Sequence, residues 1–136
     1  MSAMTEARGH LTKAREFLEA ARLSHEMGLF NAATASDAVV SGINSKDAIC
    51  LRLTGVTRKG DSHADAVTEL KAAGPVGAGL SPTLGRLLRL KTKSQYQSGS
   101  VAETDAAKMI HWADRMVAGA ESALSARVGR APTSCS

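Results

Sequence analysis

The sequence predicts an all-α protein, an up-and-down bundle of about four to five helices. Apolar residues recur at helical spacing in several stretches, and polar or glycine-containing links separate those stretches. Aromatic residues make up only 3% of the chain. A β-sandwich favours β-branched and aromatic residues in alternation, whereas the Ala and Leu that supply much of the apolar content here suit closely packed helices.

The first two helices are expected in the N-terminal part of the chain. The first runs from about Ala7 to Met27, with Thr5 as its N-cap and Gly28 as its stop. A second apolar run extends from Leu29 or Phe30 to Gly55, a second plausible stop. Glycine and polar residues weaken the middle of this run, which leaves open one kinked helix or two shorter helices.

A third helix is expected to begin near Ser62, because Ser62 and Asp65 have the S-x-x-D spacing of a capping box, and to end near Ala73. Glycines and prolines from Gly74 to Pro82 then indicate a loop. A short, basic, leucine-containing helix follows, and the run from Lys91 to Lys93 is expected to limit its length.

The last helix has the clearest apolar stripe and is expected from about Ala102 to Ala126. The polar segment from Ser94 to Ser100 before it is predicted to be a loop. Residues 1–128 are therefore expected to form a single helical domain, and residues 129–136 a flexible C-terminal tail.

The net charge, the cysteines and the hydropathy limit the functions and locations that the sequence permits. A formal net charge of +4 and a pI near 9.4 permit a polyanionic partner. Cys50 and Cys135 form neither a disulfide framework nor a metal-ligand spacing, and Cys50 is expected in the core. No apolar stretch has the length of a membrane span or the features of a signal peptide, so a cytoplasmic protein without a membrane partner is expected.

The common cofactor and metal motifs are missing from the sequence. No Glu-x-x-His pair occurs, and none of the 4 histidines has another histidine at helical i, i+4 spacing, so no metal site is expected. The phosphate-binding loop, the dinucleotide-binding glycine motif and the nucleophile elbow are also absent. The sequence therefore predicts no cofactor.

The segment from Arg58 to His63 is the best candidate for chemistry. Arg58 and Lys59 precede the expected N-terminus of the third helix, where free backbone N–H groups and the helix dipole favour anions. His63 would carry a proton within reach of a bound phosphate ester. The alternative is that Arg58 and Lys59 are solvated, Asp61 and Ser62 cap the helix, and His63 is an exposed first-turn residue.

Further residues could extend a nucleic-acid site. A phosphate track could include the basic residues Lys59, Arg89, Lys91 and Lys93, and Tyr96 could stack on a base. Each is also compatible with a solvated charge or a packing residue. Asp47 is expected in the middle of a helix, where it either orients a residue of the cleft or is exposed to solvent.

The order of these features resembles the HEPN family, whose name abbreviates higher eukaryotes and prokaryotes nucleotide-binding. Its members share an Arg, four to six intervening residues and a His, which resembles Arg58 to His63 here. The layout from Lys13 and Phe17 through Asn31-Ala32 and Asp47-Ala48 is also similar. The resemblance covers roughly residues 8–125.

The resemblance implies a HEPN-like fold and a metal-independent endoribonuclease, often a toxin or a defence component, with Arg58 and His63 as catalytic residues. It implies RNA as substrate, a homodimer that pools both motifs in one cleft, and a nucleotidyltransferase-like antitoxin as a possible partner. Asp61 and Ser62 would then supply the polar group, since Lys59 stands where active members commonly have Asn, Asp or His. Other members of the family are noncatalytic, and a dimer that only binds nucleic acid, a nucleotide or a protein is the alternative.

Overall fold

Helices account for nearly all of the chain that the computed structural model describes, namely residues 2–29, 31–58, 62–96 and 101–126, with only the backbone of residues 94–96. The helices are α1 (Ala3–Glu26), α2 (Asn31–Thr54), α3 (His63–Lys71), α4 (Pro75–Tyr96) and α5 (Glu103–Ser125). These ranges contain no strand, so the prediction of an all-α helical bundle is confirmed. The predicted tail, residues 129–136, lies outside them. Within them, no helix combines the length and apolar character needed to cross a membrane.

Helices α1 and α2 form an antiparallel hairpin, because they contact each other extensively and only a short link separates them. The predicted stop at Gly28 is confirmed, and its φ of 64° lies in the left-handed region that glycine tolerates. The predicted N-cap at Thr5 is wrong. Ser2 caps α1 instead, and its hydroxyl accepts a hydrogen bond of 3.1 Å from the Thr5 backbone N–H.

Helix α2 is a single helix, which resolves the alternatives that its weak middle left open. Gly42 is buried there against α4, and a Cβ at this position would lie 2.5 Å from Cδ2 of Leu87. The glycine therefore lets the two helices approach closely. The helix ends before Gly55, whose φ of 83° confirms the predicted stop.

The predicted loop from Gly74 to Pro82 is wrong, because α4 begins at Pro75 and continues through Pro82. A proline in the first helical position loses no helical hydrogen bond. Pro82 has no N–H to give to the carbonyl of Ala78, but the Ser81 hydroxyl donates to that carbonyl at 3.0 Å. The helix also continues past Lys93 to Tyr96, so the start of the predicted 94–100 loop is helical, while residues 97–100 lie outside the described ranges.

Helices α2 and α5 lie at the centre of the bundle, since α2 contacts all the other helices and α5 contacts α1, α2 and α4. The apolar stripe predicted for the last helix is buried, with Ala106, Met109, Ala113 and Met116 fully inaccessible to solvent. Helix α3 is short and packs on α4 and α2. Residues 55–58, which follow α2, and residues 62–63, the N-cap and the first residue of α3, carry the described part of the predicted site.

Candidate functional site

The structure holds the backbone of Arg58 from both sides. Its N–H donates a 2.7 Å hydrogen bond to Oε2 of Glu69 in α3, and its carbonyl accepts a 3.1 Å hydrogen bond from Nζ of Lys46 in α2. The Arg58 side chain is exposed and forms no ion pair within the described residues. The backbone of Arg58 is thus held in place, while its guanidinium remains available to a ligand.

Lys46 is the centre of a charged cluster that the sequence did not reveal. Its side chain is only 2% exposed, although lysine is rarely buried without partners. Nζ lies 2.6 Å from Oδ1 of Asp47 and 2.5 Å from Oε1 of Glu69, and it donates to the Thr57 hydroxyl at 3.2 Å. We call Lys46, Asp47, Thr57 and Glu69 the Lys46 cluster.

The carboxylates keep Lys46 charged. Burial by itself lowers the pKa of Lys46, but hydrogen bonds and charge attraction from Asp47 and Glu69 outweigh that effect and raise the pKa above its ordinary value. Thr57 completes the arrangement by donating a 2.7 Å hydrogen bond to Oδ1 of Asp47. The cluster therefore joins α2, the following segment and α3 through charge-assisted hydrogen bonds.

Asp47 is buried, with 7% exposure, so the expectation that it faces solvent is wrong. Its Oδ1 atom contacts Lys46 and Thr57 within the Lys46 cluster. Its Oδ2 atom lies 3.8 Å from Nδ1 of His10 in α1. The same ring nitrogen lies 2.8 Å from Oδ1 of Asn44. These contacts tie the cluster to the first helix as well.

Cys50 lies in the core, as predicted. Burial raises the pKa of its thiol to about 12, with a further contribution from the negative charge of Glu69. A cysteine reacts as the thiolate, so this side chain is not suited to nucleophilic chemistry near neutral pH.

His63 opens α3 and lines a groove between α3 and α4 with a volume of about 600 Å³, which we call the His63 groove. Its side chain is partly exposed. Arg89 of α4 lines the same groove, whereas Arg58 does not. A Cβ at Gly85 would lie 3.3 Å from Nη1 of Arg89, so this glycine gives the guanidinium room to lie along α4. The structure thus places His63 with Arg89, a residue that the sequence suggested only for the phosphate track.

The groove is suited to a ligand that is partly apolar and partly anionic. Its walls include Ala64, Val67 and Leu88, and its polar groups besides His63 and Arg89 are Thr68 and Thr92. A groove of this size and composition matches the general character of small-ligand sites in proteins.

The structure describes some of the other predicted site residues in full, and others only in part or not at all. Ser62 is the N-cap of α3, where its hydroxyl accepts a 3.2 Å hydrogen bond from the Asp65 N–H, as the capping-box spacing indicated. Lys59 and Asp61 lie outside the described residues, and only the backbone of Tyr96 is described, at the end of α4. Lys93 is exposed on α4 and lines a smaller groove beside α5.

No group of three metal-binding side chains comes together in the part of the chain that the structure describes.

No protein-family model matches this chain, and no curated protein matches it significantly. The fold and the site define a helical-bundle protein in which the backbone of Arg58 is hydrogen-bonded to α2 and α3 and in which His63 and Arg89 line one groove.

Proposed function

We propose that the protein is a metal-independent endoribonuclease of the HEPN type that acts as a dimer. The observation that carries this proposal is the His63 groove, which is lined by a partly exposed imidazole on the first turn of α3 and by Arg89 of α4. Arg58, on a segment held by the Lys46 cluster, is the second available cation. The toxin role and the nucleotidyltransferase-like antitoxin that the HEPN resemblance implies belong to the same proposal.

The proposed reaction needs no external nucleophile. The RNA 2′-hydroxyl gives up its proton and attacks the adjacent phosphorus, and the bond from phosphorus to the 5′-oxygen breaks, leaving a 2′,3′-cyclic phosphate and a 5′-hydroxyl. One group must accept the 2′-proton and another must protonate the departing oxygen. A guanidinium from Arg58 or Arg89 would stabilise the charge that develops on the phosphate.

Dimerisation would supply the second proton-transfer group. The His63 groove of one protomer contains a single imidazole. Two copies that bring their grooves together would provide both a base and an acid, which is the arrangement that the family resemblance implies. If the dimer is required, the activity per protomer should fall when the protein concentration is lowered below the dissociation constant of the dimer.

Replacement of His63 with alanine is expected to lower the rate of RNA cleavage by about 10²–10⁴-fold, because a positioned proton-transfer group contributes that much. Cleavage of a labelled RNA in EDTA, with detection of cyclic phosphate ends, measures this effect. The control is His111→Ala, which removes an exposed histidine of α5 and should leave the rate unchanged. Equal activity of wild type and His63→Ala would refute the proposed chemistry.

A noncatalytic dimer that binds nucleic acid through the same residues is the second candidate. Two observations favour it: Lys59 stands where active members of the family commonly have Asn, Asp or His, and Arg58 does not line the groove that holds His63. Binding without turnover should then weaken as salt concentration rises and should be lost in Arg58→Ala. Binding that is insensitive to salt would contradict this candidate.

A further inference from the structure

Arg89 lines both the His63 groove and a second groove. The second groove, of about 240 Å³, lies between α4 and α5 and is lined by Arg86, Arg89, Leu90, Lys93 and Trp112. We call Arg86, Arg89, Lys93 and Trp112 the Trp112 surface. Because one guanidinium belongs to both grooves, a single extended ligand can contact both.

Among the described residues, no acidic side chain forms an ion pair with the cations of the Trp112 surface. Helix α4 contains no Asp or Glu anywhere between Pro75 and Tyr96. None of its basic side chains forms an ion pair within the described residues, in contrast to Arg15 and Arg22 of α1, which pair with acids of α5. An unpaired cluster of this kind attracts a polyanion.

The α5 side of the surface adds further positive charge. Lys108 and Arg115 are exposed and lie at i−4 and i+3 from Trp112, so they neighbour Trp112 on the surface of the helix. Neither forms an ion pair within the part of the chain that the structure describes. The indole is therefore surrounded by positive charge from two helices.

Trp112 is partly buried and packs against the hydrophobic core while also lining the second groove. The core holds the indole in place, and a planar base can stack on the part that remains accessible. Cations along a groove combined with an anchored aromatic ring are the features by which proteins bind single-stranded nucleic acid. A duplex hides the faces of its bases, so it can use the cations but not the indole.

We propose that single-stranded RNA extends from the His63 groove across Arg89 to the Trp112 surface, with a base stacked on Trp112 and phosphates beside Arg86 and Lys93. This inference rests on the proposed function for the identity of RNA as the ligand. It adds a binding subsite formed by Arg86, Lys93 and Trp112, none of which is assigned to cleavage. Acidic protein segments and duplex RNA are the competing occupants.

Trp112 is the only tryptophan in the chain, so its emission reports directly on this subsite. The probe is a 2′-O-methyl oligouridylate of about ten nucleotides, which lacks the attacking hydroxyl and therefore measures binding without cleavage. Titration should change the Trp112 emission, and the log of the affinity should fall linearly with the log of the salt concentration. The matching duplex should bind more weakly and leave the emission unchanged.

Substitutions locate the contacts. Arg86→Gln and Lys93→Gln change exposed side chains, and each should reduce the salt slope by about 0.7, the value for one phosphate contact on a single strand. Trp112→Leu keeps an apolar side chain against the core and should weaken binding about tenfold, measured by anisotropy of a labelled oligonucleotide. Thermal unfolding of Trp112→Leu checks that the fold is retained.

The matched control is Lys13→Gln, an exposed cation of α1, which does not contact α4 within the described residues. It should leave both the affinity and the salt slope unchanged. If wild type cleaves RNA while Trp112 emission and the Arg86 and Lys93 variants show no effect, the subsite is refuted and the proposed function stands. If quenching and salt-dependent binding occur without cleavage, the subsite stands and the nuclease function is refuted.

Discussion

Replacement of Lys46 with methionine is expected to lower the free energy of unfolding by about 3–5 kcal/mol, because it leaves buried carboxylates without their cation. Asp47 and Glu69 lie 2.6 Å and 2.5 Å from Nζ of Lys46, and both carboxylates are largely shielded from solvent. The variant also removes the donor to the Arg58 carbonyl. Denaturant unfolding of wild type and variant measures the difference.

The pH dependence of this deficit distinguishes lost charge compensation from lost packing. Asp47 and Glu69 raise the pKa of Lys46 in the folded chain above its ordinary value of 10.5, so the stability that its charge contributes is present below that value and is lost as the pH rises through the raised pKa. The deficit of Lys46→Met relative to wild type should therefore shrink as the pH rises above about 10.5, where the lysine of the wild type loses its charge. Lys13→Met, which changes an exposed lysine, should cost less than about 0.5 kcal/mol at any pH. A deficit that is independent of pH would contradict the role of the carboxylates.

Replacement of Gly77 with alanine is expected to destabilise the fold by about 2–3 kcal/mol, because the added methyl group has no room. Gly77 is buried on the first turn of α4, where a Cβ would overlap the backbone carbonyl of Leu70 in α3 and lie 3.0 Å from the Cβ of Ala73. Backbone cannot move aside as a flexible side chain can. The start of α4 would therefore have to separate from the end of α3.

Gly79→Ala is the matched control, because it makes the same change in the same helix. Nothing lies within 4 Å of a Cβ at Gly79, which is exposed. Alanine is a better helix former than glycine, so this variant should gain about 0.5–1 kcal/mol. Thermal and denaturant unfolding of both variants tests the contrast, and destabilisation by Gly79→Ala equal to that by Gly77→Ala would show that crowding at Leu70 is not the cause.

Local signals were sufficient where the structure depends on local chemistry. Ser62 caps α3 through the spacing to Asp65, and Gly28 and Gly55 end their helices in left-handed conformations. The apolar stripe of α5 was visible because it repeats at helical spacing over the whole helix. These features involve residues within a few positions of one another, and a single sequence contains that information.

Local signals failed where a distant or unexpected partner decides the outcome. The prolines of α4 indicated a loop, but Pro75 occupies the first helical position and Ser81 satisfies the carbonyl that Pro82 leaves free. The sequence pattern did not indicate Trp112 as a residue of the proposed subsite, because Trp112 lies beside an apolar stripe. Its cationic neighbours at i−4 and i+3, Lys108 and Arg115, were a signal that could have found it.

By itself, the sequence determined that the chain is an all-α bundle, where most helices begin and end, and that Arg58 to His63 precedes and enters a helix. Only the tertiary structure decided that Lys46 and Asp47 are buried, since their partner Glu69 lies on another helix. It also placed His63 and Arg89 in the lining of one groove. The physical reason is that periodicity and capping act over one or two helical turns, whereas the pairing of charges depends on which helix faces cross in the folded chain.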